Sequence, residues 1–479
     1  MNKIKSLAGE TALYGMGNIV PRMLNFFLVS LHTRVFLPAE YSVSVSLYAW
    51  VAVLNIVYLF GMETTYFRFS TKEGADEQRV FRIAQTFVLA ISFSISLLII
   101  LFAGPIAGYF DIPVHNDFIV WLAVIMFVDA AVAIPFAQLR LRKKAALFAF
   151  AKIANIVILI GLNFYFLTWA YHPATGIGYI FLANLIANLF YLIFFVKTLI
   201  TWRPAMDRLI FSSMFKYAFP IMLTGLPGML NEMFSRMALE SWLPENFYPG
   251  KDAAYALGVF GACFRFSVIM NLAVQAFRFA AEPFFFSNAS DKNSPQLFAK
   301  VNHFFTILCC FILLAVVINM DLLRYLVSQN YWEGLGIVPI LLVAYMFLGV
   351  YYNMSVWFKL TDRTYYGTII TTGGALLTIL LNYILIPQYG YMGSSWATLL
   401  CYFSMTAACY FLGQKYLPIP YKMLEGLAYL FYALLLIQLS AMAELSSSYL
   451  SFGFHILILL IFALSAYLRE RKYWTSAVG

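Results

Sequence analysis

Charge is scarce. Asp, Glu, Lys and Arg make up 11% of the 479 residues, against about 25% in a typical soluble domain. Hydrophobic residues fill 62% of the chain and its mean hydropathy is +0.80, more apolar side chain than a water-soluble fold can enclose. A soluble enzyme is excluded. Cysteine is sparse too: Cys263, Cys309, Cys310, Cys401 and Cys409 all fall inside apolar segments without C-x-x-C spacing. They read as small buried hydrophobes, not as a disulfide framework or a zinc site. The five histidines form no H-E-x-x-H pattern and no P-loop exists. Gly15-x-Gly17 has no preceding strand, so it is not a dinucleotide fingerprint. No metal, no cofactor and no catalytic cluster is expected; the chain reads as a non-enzyme.

What is present is a series of long apolar runs. A helix needs roughly 20 apolar residues to cross a ~30 Å hydrocarbon core. Fourteen such segments lie near 11–36, 43–66, 82–104, 117–139, 146–168, 177–199, 215–240, 255–283, 301–320, 336–358, 367–386, 392–413, 423–443 and 450–468. They are too long and too uniformly apolar for the alternating strands of a membrane β-barrel. Lys3 and Lys5 precede the first segment as they would in a signal peptide. That segment contains Arg22 and has no small-residue cleavage site, so it reads as a retained first helix.

The 31 Lys and Arg exceed the 22 Asp and Glu, giving +9, and their distribution explains the excess. With the N-terminus inside, 24 fall at cytoplasmic ends and loops, 3 outside (Arg34, Lys251, Arg324) and 4 within helices (Arg22, Arg236, Arg265, Arg278). This is the positive-inside bias, with both termini cytoplasmic, and not the basic patch of a nucleic-acid binder.

An internal repeat accompanies the helix count. VPRMLNFFLVSLHTRVFLP at 20–38 echoes LPGMLNEMFSRMALESWLP at 226–244, with Pro21, Met23, Leu24, Asn25, Leu37 and Pro38 identical at an offset of 206. A weaker echo at an offset of 219 sets Arg140, Leu141, Lys144, Leu162 and Asn163 against Lys359, Leu360, Arg363, Leu381 and Asn382. Six helices separate the copies, so the repeats run parallel about an axis along the membrane normal. The expected architecture is all-α: an N-lobe of helices 1–6 (1–200), a C-lobe of helices 7–12 (201–413) and an appended helix pair (414–479). The amphipathic stretch 201–214 joins the lobes.

Charge inside the membrane is costly, about 2.5–3.5 kcal/mol for a central Arg or Asp, and tends to face a bundle interior or a watery cavity. Glu232 and Arg236, and Arg278 and Glu282, stand four apart and can neutralise themselves along one helix face. Glu63 and Arg68 lie at the inner end of helix 2, where charge is ordinary. Arg22 and Arg265 have no acidic residue within four positions. Two readings stand for them: they line a cavity, or they pair across helices with Asp129 near the middle of helix 4. Asp129 itself reads as a counter-ion or a proton-coupling acid. Pro21 is expected to bend helix 1 beside Arg22, with a matching break at Gly225, Pro227 and Gly228 in helix 7. Asn25 and Asn231 then sit at equivalent depths, as interhelical glue or as ligands; Asn184 and Asn188 read as glue. A guanidinium cannot shed its proton and offers a fork of donors suited to phosphate. Free arginines would therefore attract a pyrophosphate and repel a cationic drug.

The sequence resembles the Wzx-like polysaccharide-biosynthesis flippases, within the multidrug/oligosaccharidyl-lipid/polysaccharide exporter superfamily. The likeness covers nearly the whole chain. It is carried by YGMGNIVPRMLNFFLVSLHTRVFLPAEY, GMETTYFRFSTKE, IPFAQLRLRKKAALFAFAKIANI, PGMLNEMFSRMALESWLP, QAFRFAAEPFFF and GVYYNMSVWFKLTDRTYYG. The resemblance implies a MATE-like fold of two six-helix lobes around a central cleft, in a bacterial inner membrane. It implies alternating access that carries an undecaprenyl-pyrophosphate-linked oligosaccharide, as in lipopolysaccharide synthesis, from the inner to the outer leaflet. Arg22 and Arg265 lie on helices where lipid-carrying relatives place cavity arginines. Many relatives have an Asp-Arg pair where this chain has Ser235-Arg236, so no role of that Asp carries over. The partners implied are the lipid-linked oligosaccharide, membrane lipids, and a glycan polymerase and glycosyltransferases. Two rivals are a cation-coupled multidrug antiporter of the same fold and a membrane-bound glycan polymerase or glycosyltransferase. The outer loops around 241–254 and 321–335 are too small for the latter's catalytic domain. A regulatory relative that binds lipid-linked sugar without moving it is a third.

Overall fold

A computed structural model describes residues 2–289, 291, 293–443 and 448–475. Lys292 lies outside the described residues, as do the side chains of Lys3, Lys5, Glu282 and Lys472. The chain is all-helical. Each apolar run expected to span coincides with a helix: α1 (Asn2–Val35), α2 (Pro38–Leu59), α3 (Glu77–Leu101), α4 (Asn116–Leu141), α5 (Ala145–Phe164), α6 (Gly178–Phe194) and α7 (Arg208–Trp242). They continue with α8 (Ala253–Ser287), α9 (Ser294–Ile318), α10 (Ile337–Met354), α11 and α12 (the two parts of Tyr365–Tyr416), α13 (Met423–Met442) and α14 (Ser448–Thr475). Eleven of the described helical stretches are long and apolar enough to cross a membrane.

Local chemistry sets several boundaries. Asp76 caps α3, accepting from the backbone N–H groups of Gln78 and Arg79 at 2.9 and 3.1 Å. Asp207 caps α7 in the same way through Leu209 and Ile210, at 3.0 and 3.2 Å. Pro38 opens α2, where a missing N–H costs nothing. The α11–α12 turn rests on Gly390, at φ 57° and ψ −135°, a conformation that essentially only glycine adopts. The hydroxyls of Tyr366 and Tyr416 meet at 2.5 Å across the two far ends, so the pair is a hairpin.

The expected proline breaks are not interruptions. α1 runs through Pro21 and α7 through Pro220 and Pro227 as continuous helices. The first half breaks instead at Phe60 and Gly61, both left-handed, which end α2 and start the short helix Met62–Ser70. A Cβ on Gly61 would lie 2.9 Å from the carbonyl oxygen of Ala218 on α7, so this turn needs glycine for space as well as for φ.

Two compact units emerge, 1–261 and 262–479. The division falls inside α8, beyond α7. The reason is that α7 packs on α2: Met214, Ala218 and Met222 are buried with Tyr58, Met62, Tyr66 and Ile83. In the second unit α10 packs against the α11–α12 hairpin, and α9 against α10, α13 and α14. Its interior includes Cys309, Leu313, Leu341 and Tyr345. All five cysteines are buried free thiols.

Candidate functional site

In the first unit, charge converges on a cavity of about 320 Å³ between α2, the 62–70 helix, α4 and α5. Glu63, Asp129, Arg140 and Lys152 line it, with Asn55 and Phe136. The Arg140 guanidinium is ion-paired to the Glu63 carboxylate. Asp129 is half-buried and accepts a hydrogen bond from the Asn188 amide at 3.0 Å. The Asn188 carbonyl in turn accepts from Asn155 at 3.1 Å. Lys152 holds its ammonium 4.1 Å from the ring centroid of Phe136 and 4.9 Å from that of Tyr191, within the range of a cation–π attraction. Asn55 presents a carbonyl oxygen that is buried without a donor.

Two acids against two bases leave the cavity formally neutral, but the charges are not equivalent. Glu63 neutralises Arg140 directly. Asp129 is held by an amide, with Lys152 sheltered on aromatic faces. Asp129 and the Asn55 carbonyl are thus acceptors with capacity to spare, suited to a proton, a small cation or a polar substrate group.

The residues singled out in the sequence fall in different places. Arg22 is exposed on α1, and Arg265 is half-buried on α8. Among the described residues neither forms an ion pair, and Asp129 pairs with neither. Asn25 is half-buried and Asn231 is buried. Glu232 takes part in no ion pair among the described residues. The Arg236 guanidinium donates to the Met233 sulfur at 3.0 Å, so the i, i+4 neutralisation expected on helix 7 is not formed. Asn188 and Asn184 do bridge helices, the latter donating to the Tyr48 hydroxyl at 2.8 Å.

Sequence reasoning passed over Glu63, Asn55 and Lys152. By sequence Glu63 is an ordinary end-of-helix charge, yet it meets Arg140 across 77 residues of chain. By sequence Lys152 falls with the cytoplasmic ends. Its place two turns into the apolar run AALFAFAKIANIVILI is the signal that marks it.

A second cluster lies in the second unit. His303 Nε2 is 3.1 Å from Glu470 Oε1 and 3.7 Å from Glu425 Oε2, a spacing that could hold an ion. Tyr429 already donates to Glu470 at 2.9 Å and Lys422 to Glu425 at 3.1 Å. The arrangement works as a polar clasp tying α13 and α14 to α9.

Residues 31–239 match the sequence model of a family described as "Polysaccharide biosynthesis protein". No curated protein matches in sequence. The lipid II flippase MurJ, in an inward closed conformation, shares the fold at TM-score 0.75 and 14% identity, over 96% of this chain and 99% of that one. A multidrug resistance MATE family transporter of the MOP superfamily, facing inward, aligns at TM-score 0.61 and 12% identity over 91% of this chain and 96% of its own. A MATE transporter of Vibrio cholerae aligns at 0.59 and 16% identity over 86% and 96%. The chain is therefore a multi-pass membrane protein of MATE-like fold, and over 31–239 it carries the sequence pattern of the polysaccharide biosynthesis proteins.

Proposed function

We propose that the chain is a flippase that carries a polyprenyl-pyrophosphate-linked oligosaccharide from the inner to the outer leaflet by alternating access. The family match and the fold shared with a lipid II flippase support a lipid-linked cargo. The observation that carries the anionic headgroup is the state of Arg22 and Arg265. Both are guanidiniums in apolar helices, and neither is neutralised by a carboxylate among the described residues. Such a group is costly to retain in a membrane protein unless it serves a ligand, and pyrophosphate oxygens match its donor fork. Asn25 and Asn231 would add neutral contacts to the cargo. The bacterial inner membrane, cytoplasmic termini, the two six-helix lobes and a working association with a polymerase and glycosyltransferases belong to this reading. Transport without bond making is its chemistry.

The acidic side of the first-unit cavity favours one addition. Asp129, beside the open Asn55 carbonyl, serves as the coupling group, taking up a proton or a cation during the cycle. Glu232 and Arg236, not joined to each other, are lesser candidates for the same work.

The test is export of glycan to the cell surface in a strain that depends on this chain. Arg22→Ala and Arg265→Ala should each abolish export with normal protein levels, while Arg22→Lys retains part of it. Full export by both alanine variants would overturn the anionic-headgroup reading. Drug resistance conferred by the wild-type chain, without export, would select the antiporter.

A further inference from the structure

A second cavity in the first unit has a different electrostatic character. It measures about 390 Å³ and lies where the start of α3, the end of α4 and the short helix Val196–Thr201 come together. Four cations line it: Arg82, Arg142, Lys144 and Lys197, with Trp202 on the wall and no carboxylate in the lining. Glu77 stands behind that wall. It accepts from Arg142 Nε at 2.9 Å and from Gln138 at 3.1 Å, fixing one guanidinium and offsetting one of the four charges. Arg82, Lys144 and Lys197 form no ion pair among the described residues. The Trp202 indole N–H is buried with no acceptor, and leaving such a donor unmet is costly.

A surplus of about three positive charges around a cavity of ligand size, with an indole on its wall, is suited to an anion. The ligand must be compact and bear more than one negative oxygen, since the cations approach from three helical segments. It must also reach the end of the bundle to which the charge count assigns the cytoplasm. We infer that this cavity binds a phosphate-bearing anion, supplied either by the headgroup of an acidic phospholipid in the inner leaflet or by a soluble phosphate. Basic pockets at this level of a membrane protein are suited to lipid headgroups. Neither Arg22 nor Arg265 lines it, and it stands whatever the transported cargo is.

Its position gives it a consequence. The helix 196–201 leads directly into the stretch joining α6 to α7. That stretch is already tied to α3, by the ion pair of Asp207 with Arg79 and by Ala205 N–H donating to Thr86 Oγ1 at 3.1 Å. An anion held by Arg82 on α3, by Arg142 and Lys144 at the end of α4, and by Lys197 would fasten the same stretch at a second point. Occupancy would stiffen the connection into α7.

The experiment uses the purified full chain and native mass spectrometry, with thermal unfolding as a second readout. The probes are phosphatidylglycerol, inorganic pyrophosphate and, as an uncharged-net control, phosphatidylcholine. Wild-type protein should retain an acidic probe and unfold at a higher temperature with it. Lys144→Gln/Lys197→Gln should bind that probe about twenty-five-fold more weakly, at about five-fold per lysine. Lys144→Arg/Lys197→Arg should restore binding, which separates lost charge from lost folding. Discrimination with phosphatidylglycerol alone identifies a lipid site, and with pyrophosphate alone a soluble-phosphate site. Equal binding of both acidic probes by wild-type and glutamine variant, or a response to phosphatidylcholine equal to that of phosphatidylglycerol, would overturn the inference.

Discussion

The two compact units are built from similar apolar helices, yet they treat buried polarity differently. The first keeps Glu63, Asp129, Arg140 and Lys152 around one cavity. The second keeps a cation, Lys359, at the position of Arg140 but puts uncharged side chains at two of the other three. At the offset of 219 that relates Arg140 to Lys359, Asp129 becomes Leu348 and Lys152 becomes Thr371. Leu348 is buried, 7% exposed, beside Gly349, whose missing Cβ makes room for the Phe305 ring. The second unit buries an ionisable cluster between α9 and the appended helices, where His303 and Glu470 are 4% and 2% exposed. At these two positions the first unit sets Asp129 and Lys152 on a cavity, and the second has Leu348 and Thr371.

The sharpest way to break this comparison is to exchange the two characters. Leu348→Asp places a carboxylate at a buried hydrocarbon position and should cost about 2.5–3.5 kcal/mol, enough to lower expression and the unfolding temperature in detergent. Asp129→Asn should change stability by less than about 1 kcal/mol, since the amide can still bond Asn188. It should lower transport about ten-fold by removing one charge of a closely spaced cluster. Equal stability losses from the two would show that position 129 tolerates charge no better than position 348.

Volume gives a second, smaller contrast. An added Cβ at Gly349 would lie 2.5 Å from the Phe305 ring and 2.9 Å from Val274. Gly349→Val should therefore destabilise by about 1–3 kcal/mol through overpacking. Ala133→Val projects into the 320 Å³ cavity and should stay within about 0.5 kcal/mol. Thermal unfolding of the two variants side by side measures the difference. Smaller again is Arg140→Gln. The side chains of Arg140 and Glu63 are 31% and 35% exposed, so solvent screens the pair and its loss should cost under about 1 kcal/mol. Denaturant titration at low and high salt would show that cost shrinking as salt rises.

These contrasts also mark how far the sequence reaches. Runs of about twenty apolar residues are a one-dimensional signal, so the helices were legible, including two on either side of Gly390 that form one hairpin. The caps at Asp76 and Asp207 are local too. Partner choice is not. Nothing near Glu63 announces that its partner is Arg140, or that Asn188 and not an arginine holds Asp129, because helix packing decides both. Pro21 and Pro227 mark where a backbone hydrogen bond is missing, and the helices continue through both. Arg22 and Arg265 stood out for lacking a local acid, and that much needed no coordinates.

The smallest expected effect concerns the stretch between α6 and α7, where the two units' habits can be compared with an exposed ion pair. Asp207 accepts from the N–H groups of Ile210 and Leu209 and pairs with Arg79. The backbone bond from Ile210 leads in holding its carboxyl below the ordinary carboxylate range, with the Arg79 charge contributing. A depressed value means that the folded chain favours the ionised form. The stabilisation is therefore complete above the ordinary carboxylate pKa of about 4 and is lost as pH falls through the depressed value. Asp207→Asn keeps a good capping side chain and removes the titrating group. Unfolding temperature measured from pH 6 down to pH 3 should fall more steeply for the wild type than for Asp207→Asn, with the curves converging at the acid end. The interior clasp of His303 and Glu470 should be indifferent to this substitution, and parallel curves throughout would mean that Asp207 contributes only as a cap.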